Sequence, residues 1–231
     1  MIHLLWPTIR PDMMSSTFTH WVTNCADSKN FKTHIAVNTK VQKTKVSNCL
    51  KHIAQILYNR PEVYISGNKK GVTNACCFLS HLQNIDGPYQ DIIILASDDF
   101  YAPKKWDKWL IETIQKPVEA IRVNDGYIPQ DNITIPIMTM GCLKKLNRII
   151  YHTSYHHSYS DTELFHNLKD LEYLTDLWNS SPIFEHKNWA NNKRSMDDVD
   201  IALRGQTLND DANNYNARML LPVEKRILAE S

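Results

Sequence analysis

Glycine is scarce in this chain of 231 residues, at six positions, and its five cysteines (Cys25, Cys49, Cys76, Cys77 and Cys142) contain no Cys-x-x-Cys pair. That spacing argues against a zinc knuckle or a redox dithiol and leaves the thiols as reduced, partly buried fillers. No apolar run approaches the length that crosses a bilayer. Residues Met1 to Pro7 carry neither a charged leader nor a signal-peptide core, so the expectation is a soluble protein of the cytoplasm, or of the host cytoplasm if viral. An excess of one charge is missing too. The 26 Lys and Arg stand against 25 Asp and Glu, a formal net charge of +1, which gives no global pull toward nucleic acid or an anionic membrane. With 42% hydrophobic and 22% charged residues, the chain is of ordinary globular composition and long enough for one domain with a tail.

What is present centres on Asp91 to Phe100. The branched apolar run Ile92-Ile93-Ile94-Leu95 reads as a buried strand, and Ala96-Ser97-Asp98-Asp99 follows it. Open α/β sheets place their ligands at the carboxyl ends of strands. Two adjacent carboxylates there call for a cation, most simply a divalent ion with oxygen ligands that itself carries phosphates. A polar turn leaving the strand is the plainer reading of the same residues.

Short strands and helices alternate around this run, the pattern of an α/β fold. Ile2–Trp6, His34–Val37 and Val63–Ile65 read as strands; apolar spacing predicts helices over Met13–Cys25, Lys40–Tyr58 and Thr73–Leu82. Pro7 and Pro11 forbid a helix between them and hold Thr8 and Arg10 in a stiff loop beyond the first strand. Gly67 to Ala75, with Lys69 and Lys70, runs into a helix start and suits a phosphate contact, although the Gly-Lys-Ser/Thr ending of a Walker loop is missing. Lys43, Lys45 and Lys51 read as a solvated helix face.

Further on, a helix starts at Trp106. Strands are expected over Glu119–Val123 and Ile133–Thr139, around a turn at Asn124-Asp125-Gly126, and a helix from Gly141 through Ile150. Ser160-Asp161-Thr162-Glu163 has the form of a capping box, in which the acids serve the helix start. A carboxylate there that faces a cleft can also act as a general base. His156 and His157 are adjacent and would point to opposite faces of a strand, which argues against a histidine zinc site. Pro182 to Trp189 reads as a last strand with His186 near its exit. Lys193-Arg194 follow in a polar loop, then Asp197-Asp198 and a helix to Leu203; a helix from Tyr215 to Leu228, interrupted at Pro222, closes the chain.

Taken together, Pro7-Thr8-x-Arg10-Pro11, Gly71-Val72-Thr73-Asn74-Ala75, Ser97-Asp98-Asp99-Phe100, Trp106-Asp107, Met140-Gly141, His157 to Leu164 and Ile183-Phe184-Glu185-His186 resemble, in order and spacing, the GT-A glycosyltransferases, in particular family 2-like members of phages and bacteria. The resemblance implies a single GT-A, Rossmann-like domain with a mixed, mostly parallel central sheet flanked by helices. It would span residues 1–204, with a nucleotide-sugar half over about 1–100 and an acceptor half over about 101–204, and a polar loop and helix over 205–231 packed on it. It implies a nucleotide-diphosphate sugar donor, Mn2+ or Mg2+, and a hydroxyl acceptor on a glycan or on a modified base of phage DNA. Asp98, Asp99 and His186 fall at the metal positions, with Ala96 in place of the first acid of the Asp-x-Asp motif. Thr8, Arg10, Asn38, Gly71, Asn74, Ser97, Asp98, Lys193 and Arg194 fall where the family grips the nucleotide sugar. Asp161 matches the catalytic carboxylate of inverting members, with Glu163 in reserve. Two other readings share these residues: a nucleotide- or carbohydrate-binding module on a degenerate transferase fold, and a nucleotidyltransferase.

Overall fold

The computed structural model describes residues 1–66, 72–82, 85–127, 131–188, 192–198 and 208–228. Its centre is a seven-stranded sheet in the order β3-β2-β1-β4-β7-β6-β8, built from β1 (Ile2–Pro7), β2 (Phe31–Val37), β3 (Glu62–Ile65), β4 (Ile92–Leu95), β6 (Ala120–Arg122), β7 (Ile137–Thr139) and β8 (Leu174–Asp176). The first four are mutually parallel; β7 runs antiparallel to both β4 and β6, and β8 pairs parallel with β6. A separate two-stranded ribbon joins β5 (Phe100–Tyr101) to β9 (Glu185–His186). The helices are α1 (Pro11–Asn24), α2 (Lys40–Cys49), α3 (Val72–Ser80), α4 (Trp106–Thr113), α5 (Met140–Lys145), α6 (Ser160–Asp170), α7 (Leu208–Met219) and α8 (Val223–Arg226). Among the described residues no helix is long and apolar enough to cross a membrane.

The apolar run of β4 is continuous because both of its faces are covered. Ile92 and Ile94 join one core with Trp6, Phe18, Trp21 and Trp106; Ile93 and Leu95 join the other with Met138, Leu143, Leu164 and Phe165. In the first core three indoles pack edge to face, Trp6 with Trp21 at 5.9 Å and Trp21 with Trp106 at 5.0 Å between ring centres. Each indole N–H donates to an acceptor: Trp21 to the Phe100 carbonyl at 2.7 Å, Trp106 to the Trp21 carbonyl at 2.9 Å, and Trp6 to the Asp98 carboxylate at 2.9 Å. The aromatic core thus holds the backbone on either side of the paired acids.

Several boundaries differ from expectation. Pro11 opens α1 as its first residue, where the missing N–H costs nothing, so the stiff loop is shorter than read. A capping box between Thr39 and Gln42 starts α2, which ends at Cys49 rather than Tyr58; a 3-10 turn over Ile53–Gln55 then keeps Leu50, Ile53 and Leu57 in the core. Two left-handed residues, Asn147 and Arg148, follow α5 soon after its end at Lys145, well before Ile150. Gly141 sits against the Pro117 carbonyl, and a β-carbon there would overlap it. The C-terminal segment breaks at Pro222 as expected, but its first helix, α7, begins at Leu208, well before Tyr215. The helix expected to reach Leu203 lies, past Asp198, outside the described residues, as do Lys69, Lys70 and Gly71.

Candidate active site

At the carboxyl ends of β1, β2 and β4 lies a cavity of about 470 Å³. Its walls include Thr8, Arg10, Asn38, Ser97, Asp98 and Asp99 from the sheet side, His186 from the ribbon and Asn188 just after it, and Thr134, Tyr151, His157, Tyr159 and Asp161 opposite. Most of the sequence candidates therefore meet in one place.

The two adjacent acids do different things. Asp98 is buried, and its carboxylate is held by the Trp6 indole at 2.9 Å and the Thr8 hydroxyl at 2.8 Å. Burial pushes its pKa up to about 7, with the two donors only partly offsetting that cost. Asp99 turns the other way. Its Oδ2 lies 3.4 Å from His186 Nε2 and 3.9 Å from the Arg194 guanidinium, and its Oδ1 accepts from the Ser97 hydroxyl. Burial would raise the Asp99 pKa, but His186, Ser97 and Arg194 together outweigh it and hold the carboxyl below its usual value.

The ribbon explains why residues so far apart meet. Phe100 pairs with His186 across it, and their rings stack at 4.1 Å. The Lys187 N–H donates to the Asp99 carbonyl and the His186 N–H to the Asp125 carbonyl, both at 2.8 Å. An imidazole beside a carboxylate is a donor set suited to manganese. Among the described residues no three of His, Cys, Asp and Glu form a complete metal-holding group. Two protein ligands are nonetheless what a divalent ion carried by phosphates requires, since substrate oxygens and water complete its shell.

On the nucleotide side, Arg10 donates to Asp197 from Nη2 at 3.1 Å, with its Nε 2.9 Å from the same carboxylate, and Arg194 stands 3.9 Å from it. Asp197 was not singled out by sequence. Asn38 leaves β2 half-buried, its N–H donating to the Gln42 side chain at 3.0 Å and its Oδ1 accepting from Ser66 at 3.3 Å. Asn74 lies within α3. Lys193 is exposed, 3.6 Å from Glu185, and does not line the cavity.

Of the two candidate bases, Asp161 faces the cavity and Glu163 does not. The expected capping box is not formed: Tyr159 occupies the cap position in a left-handed conformation, with no side-chain cap bond. Glu163 instead is buried in a bidentate pair with Arg218, both contacts 2.8 Å, and accepts from the Tyr155 hydroxyl at 2.6 Å. Asp161 accepts from the Thr162 N–H at 2.9 Å, and burial raises its pKa against that bond and the charges of His157 and His186. A carboxylate with a raised pKa at a cavity wall is placed to accept a proton.

The mixed, mostly parallel seven-stranded sheet flanked by helices is that of the GT-A fold. The TarS 1–349 structure from S. aureus in complex with UDP superposes with a TM-score of 0.59 at 12% identity, over 78% of this chain and 58% of that one. The mannosyltransferase PcManGT from Pyrobaculum calidifontis, in complex with GDP-Man and Mn2+, gives 0.57 at 9%, over 79% and 54%. Glucosyl-3-phosphoglycerate synthase from Mycobacterium tuberculosis, in complex with UDP, gives 0.53 at 10%, over 100% of this chain and 81% of that one. The chain thus spans less than two thirds of the TarS and PcManGT chains. No family model and no curated protein sequence matches, so the likeness is one of fold.

Proposed function

We propose that the protein is a metal-dependent, inverting glycosyltransferase that moves a sugar from a nucleotide-diphosphate sugar to a hydroxyl acceptor. The observation that carries this reading is the convergence of Asp99, His186 and Asp161 on one cavity at the sheet's carboxyl edge. In it, Asp99 and His186 would hold the divalent ion, Mn2+ or Mg2+, and Asp98, which the resemblance also places at a metal position, serves instead to fix Trp6 and Thr8. The ion supplies positive charge where the departing diphosphate becomes negative. Arg10 and Arg194 add guanidinium charge on the same side, with Ser97 orienting Asp99. Thr8 and Asn38 line the nucleotide side of the cavity; by the sequence resemblance, Gly71, Asn74 and Lys193 join them in binding the nucleotide sugar.

In the transfer step the acceptor hydroxyl oxygen bonds to the anomeric carbon as the bond from that carbon to the diphosphate oxygen breaks. The electron pair leaves with the diphosphate, and Asp161 takes the hydroxyl proton. Glu163, already neutralised by Arg218, has no part in this. The acceptor is the hydroxyl of a glycan or of a modified base in phage DNA; salt-dependent retention on DNA separates the two.

The test is a thermal-shift screen of UDP- and GDP-sugars with and without Mn2+. A ligand at 100 times its Kd should stabilise the fold by about 2.7 kcal/mol. Asp161→Asn should keep that stabilisation and lose transfer. Undiminished transfer would remove Asp161 from the mechanism; binding without any nucleoside diphosphate release in the wild type would leave a binding module, and release of sugar 1-phosphate a nucleotidyltransferase.

A further inference from the structure

Helix α7 is unusual in having almost no apolar residue with which to dock. Between Asn209 and Asn216 only Ala212 and Tyr215 interrupt a run of Asn and Asp. It is nevertheless packed, through residues at the i, i+4 and i+7 positions of one helical face: Asp211, Tyr215 and Arg218. Asp211 is 1% exposed and accepts three successive backbone N–H groups, from His156 at 2.8 Å, His157 at 3.0 Å and Ser158 at 2.8 Å. Tyr215 stacks on Tyr159 at 5.4 Å between ring centres. Arg218 holds Glu163. The three contacts bracket Asp161 from both sides along the chain, and the residues they hold lead through the left-handed Tyr159 straight into the helix that carries it.

We propose that α7 is a positioning element for the transfer step, with Asp211 as its principal positioning residue: it fixes the 156–159 wall so that Asp161 is presented to the acceptor hydroxyl. This rests on the glycosyltransferase reading above. The physical reason is that three adjacent N–H groups pointing one way leave the loop with unpaired donors unless an anion receives them, and a buried carboxylate anchored on a helix receives all three in a fixed place. Such a loop has little freedom of its own, so the base inherits the helix's position. These contacts of Asp211, Tyr215 and Arg218 go to the 156–159 loop and to Glu163, away from the Asp99–His186 pair.

The experiment compares Asp211→Asn, Asp211→Glu and Tyr215→Leu with the wild type. UDP and GDP binding in Mn2+ is measured by calorimetry, kcat and KM with the UDP- or GDP-sugar that the screen identifies, and amide exchange over residues 156–158 by mass spectrometry. Asp211→Asn should leave nucleotide affinity within about twofold while kcat falls by about 10–100-fold, the cost of a misplaced group. Asp211→Glu should recover part of kcat, and Tyr215→Leu, which keeps all three N–H bonds, should lose less. Exchange at 156–158 should quicken in Asp211→Asn and stay slow over 92–99. An unchanged kcat, or a parallel fall of nucleotide affinity and kcat, would overturn the proposal. Should the wild type turn over no nucleotide sugar, the transferase reading fails instead, and exchange alone decides whether Asp211 holds the wall: quickening confined to 156–158 supports it, and a uniform or absent change overturns it.

Discussion

Two buried carboxylates in this molecule do the same local job with different consequences. Asp107, at the start of α4, accepts from the Ala26 N–H at 2.6 Å, the Asp27 N–H at 3.0 Å and the Asn30 side chain at 2.7 Å. Asp211 accepts from three N–H groups in the same way on the other side of the sheet. The turn pinned by Asp107 joins α1 to β2, and none of its residues reaches the cavity. The loop pinned by Asp211 contributes His157, Ser158 and Tyr159 to the cavity wall. A buried anion that gathers backbone donors is thus a general means of fixing a turn; whether it bears on chemistry depends on what the turn faces.

The comparison can be broken most forcefully at Arg218. Arg218→Met strands Glu163 as an unpaired buried charge and should cost about 3–5 kcal/mol in urea unfolding, with the double change Arg218→Met, Glu163→Met recovering much of it. A single-variant cost below about 1 kcal/mol would show that the pair is not buried in solution. Next in size is Asp107→Asn. It takes the charged acceptor from all three donors, leaves at least one of them facing an amide NH2, and should cost about 1–3 kcal/mol of stability, while activity per folded molecule stays at the wild-type level. Loss of activity in this variant matching that of Asp211→Asn would erase the distinction between the two turns.

A further effect lies outside both regions and depends on pH. His3 Nδ1 and His34 Nε2 are 3.2 Å apart under the sheet, facing Asp91 and Glu62 respectively with Lys32 and the amino terminus nearby. Burial lowers both pKa values, that of His34 to about 4, with the charge of His3 adding to it. The unfolded chain takes up protons near pH 6.5 that the native state refuses. Stability is therefore full above that value and is lost as pH falls toward 4, by about 2–3 kcal/mol for His34. His34→Gln should flatten this acid slope; an unaltered slope between pH 6.5 and 4 would assign it to other groups.

How much of this was legible in the sequence follows from what each element is made of. Strands β1 and β4 announce themselves because buried parallel strands must be apolar on both faces, and the acids after Leu95 mark the sheet's working edge. His186 was legible as a strand exit. Its distance from Asp99 was not, because the ribbon that joins them pairs only two residues on each side. Two neighbouring acids look alike in sequence, yet alternate along the backbone, so Asp98 faces Trp6 and Thr8 while Asp99 faces His186. Glu163 read as a helix cap because its partner, Arg218, lies 55 residues away. Helix α7 was hidden for a related reason: its period is carried by Asp211, Tyr215 and Arg218, and a search for apolar spacing passes over it.

The division of labour between the two acids is the centre of the account, and a crystal structure with Mn2+ and UDP or GDP tests it directly through the anomalous signal of manganese. The ion should lie between Asp99 and His186, against the nucleotide's phosphates, and should remain there in Asp98→Asn but vanish in Asp99→Ala. Manganese bound by Asp98 with His186 turned away, or occupancy that survives Asp99→Ala, would contradict it.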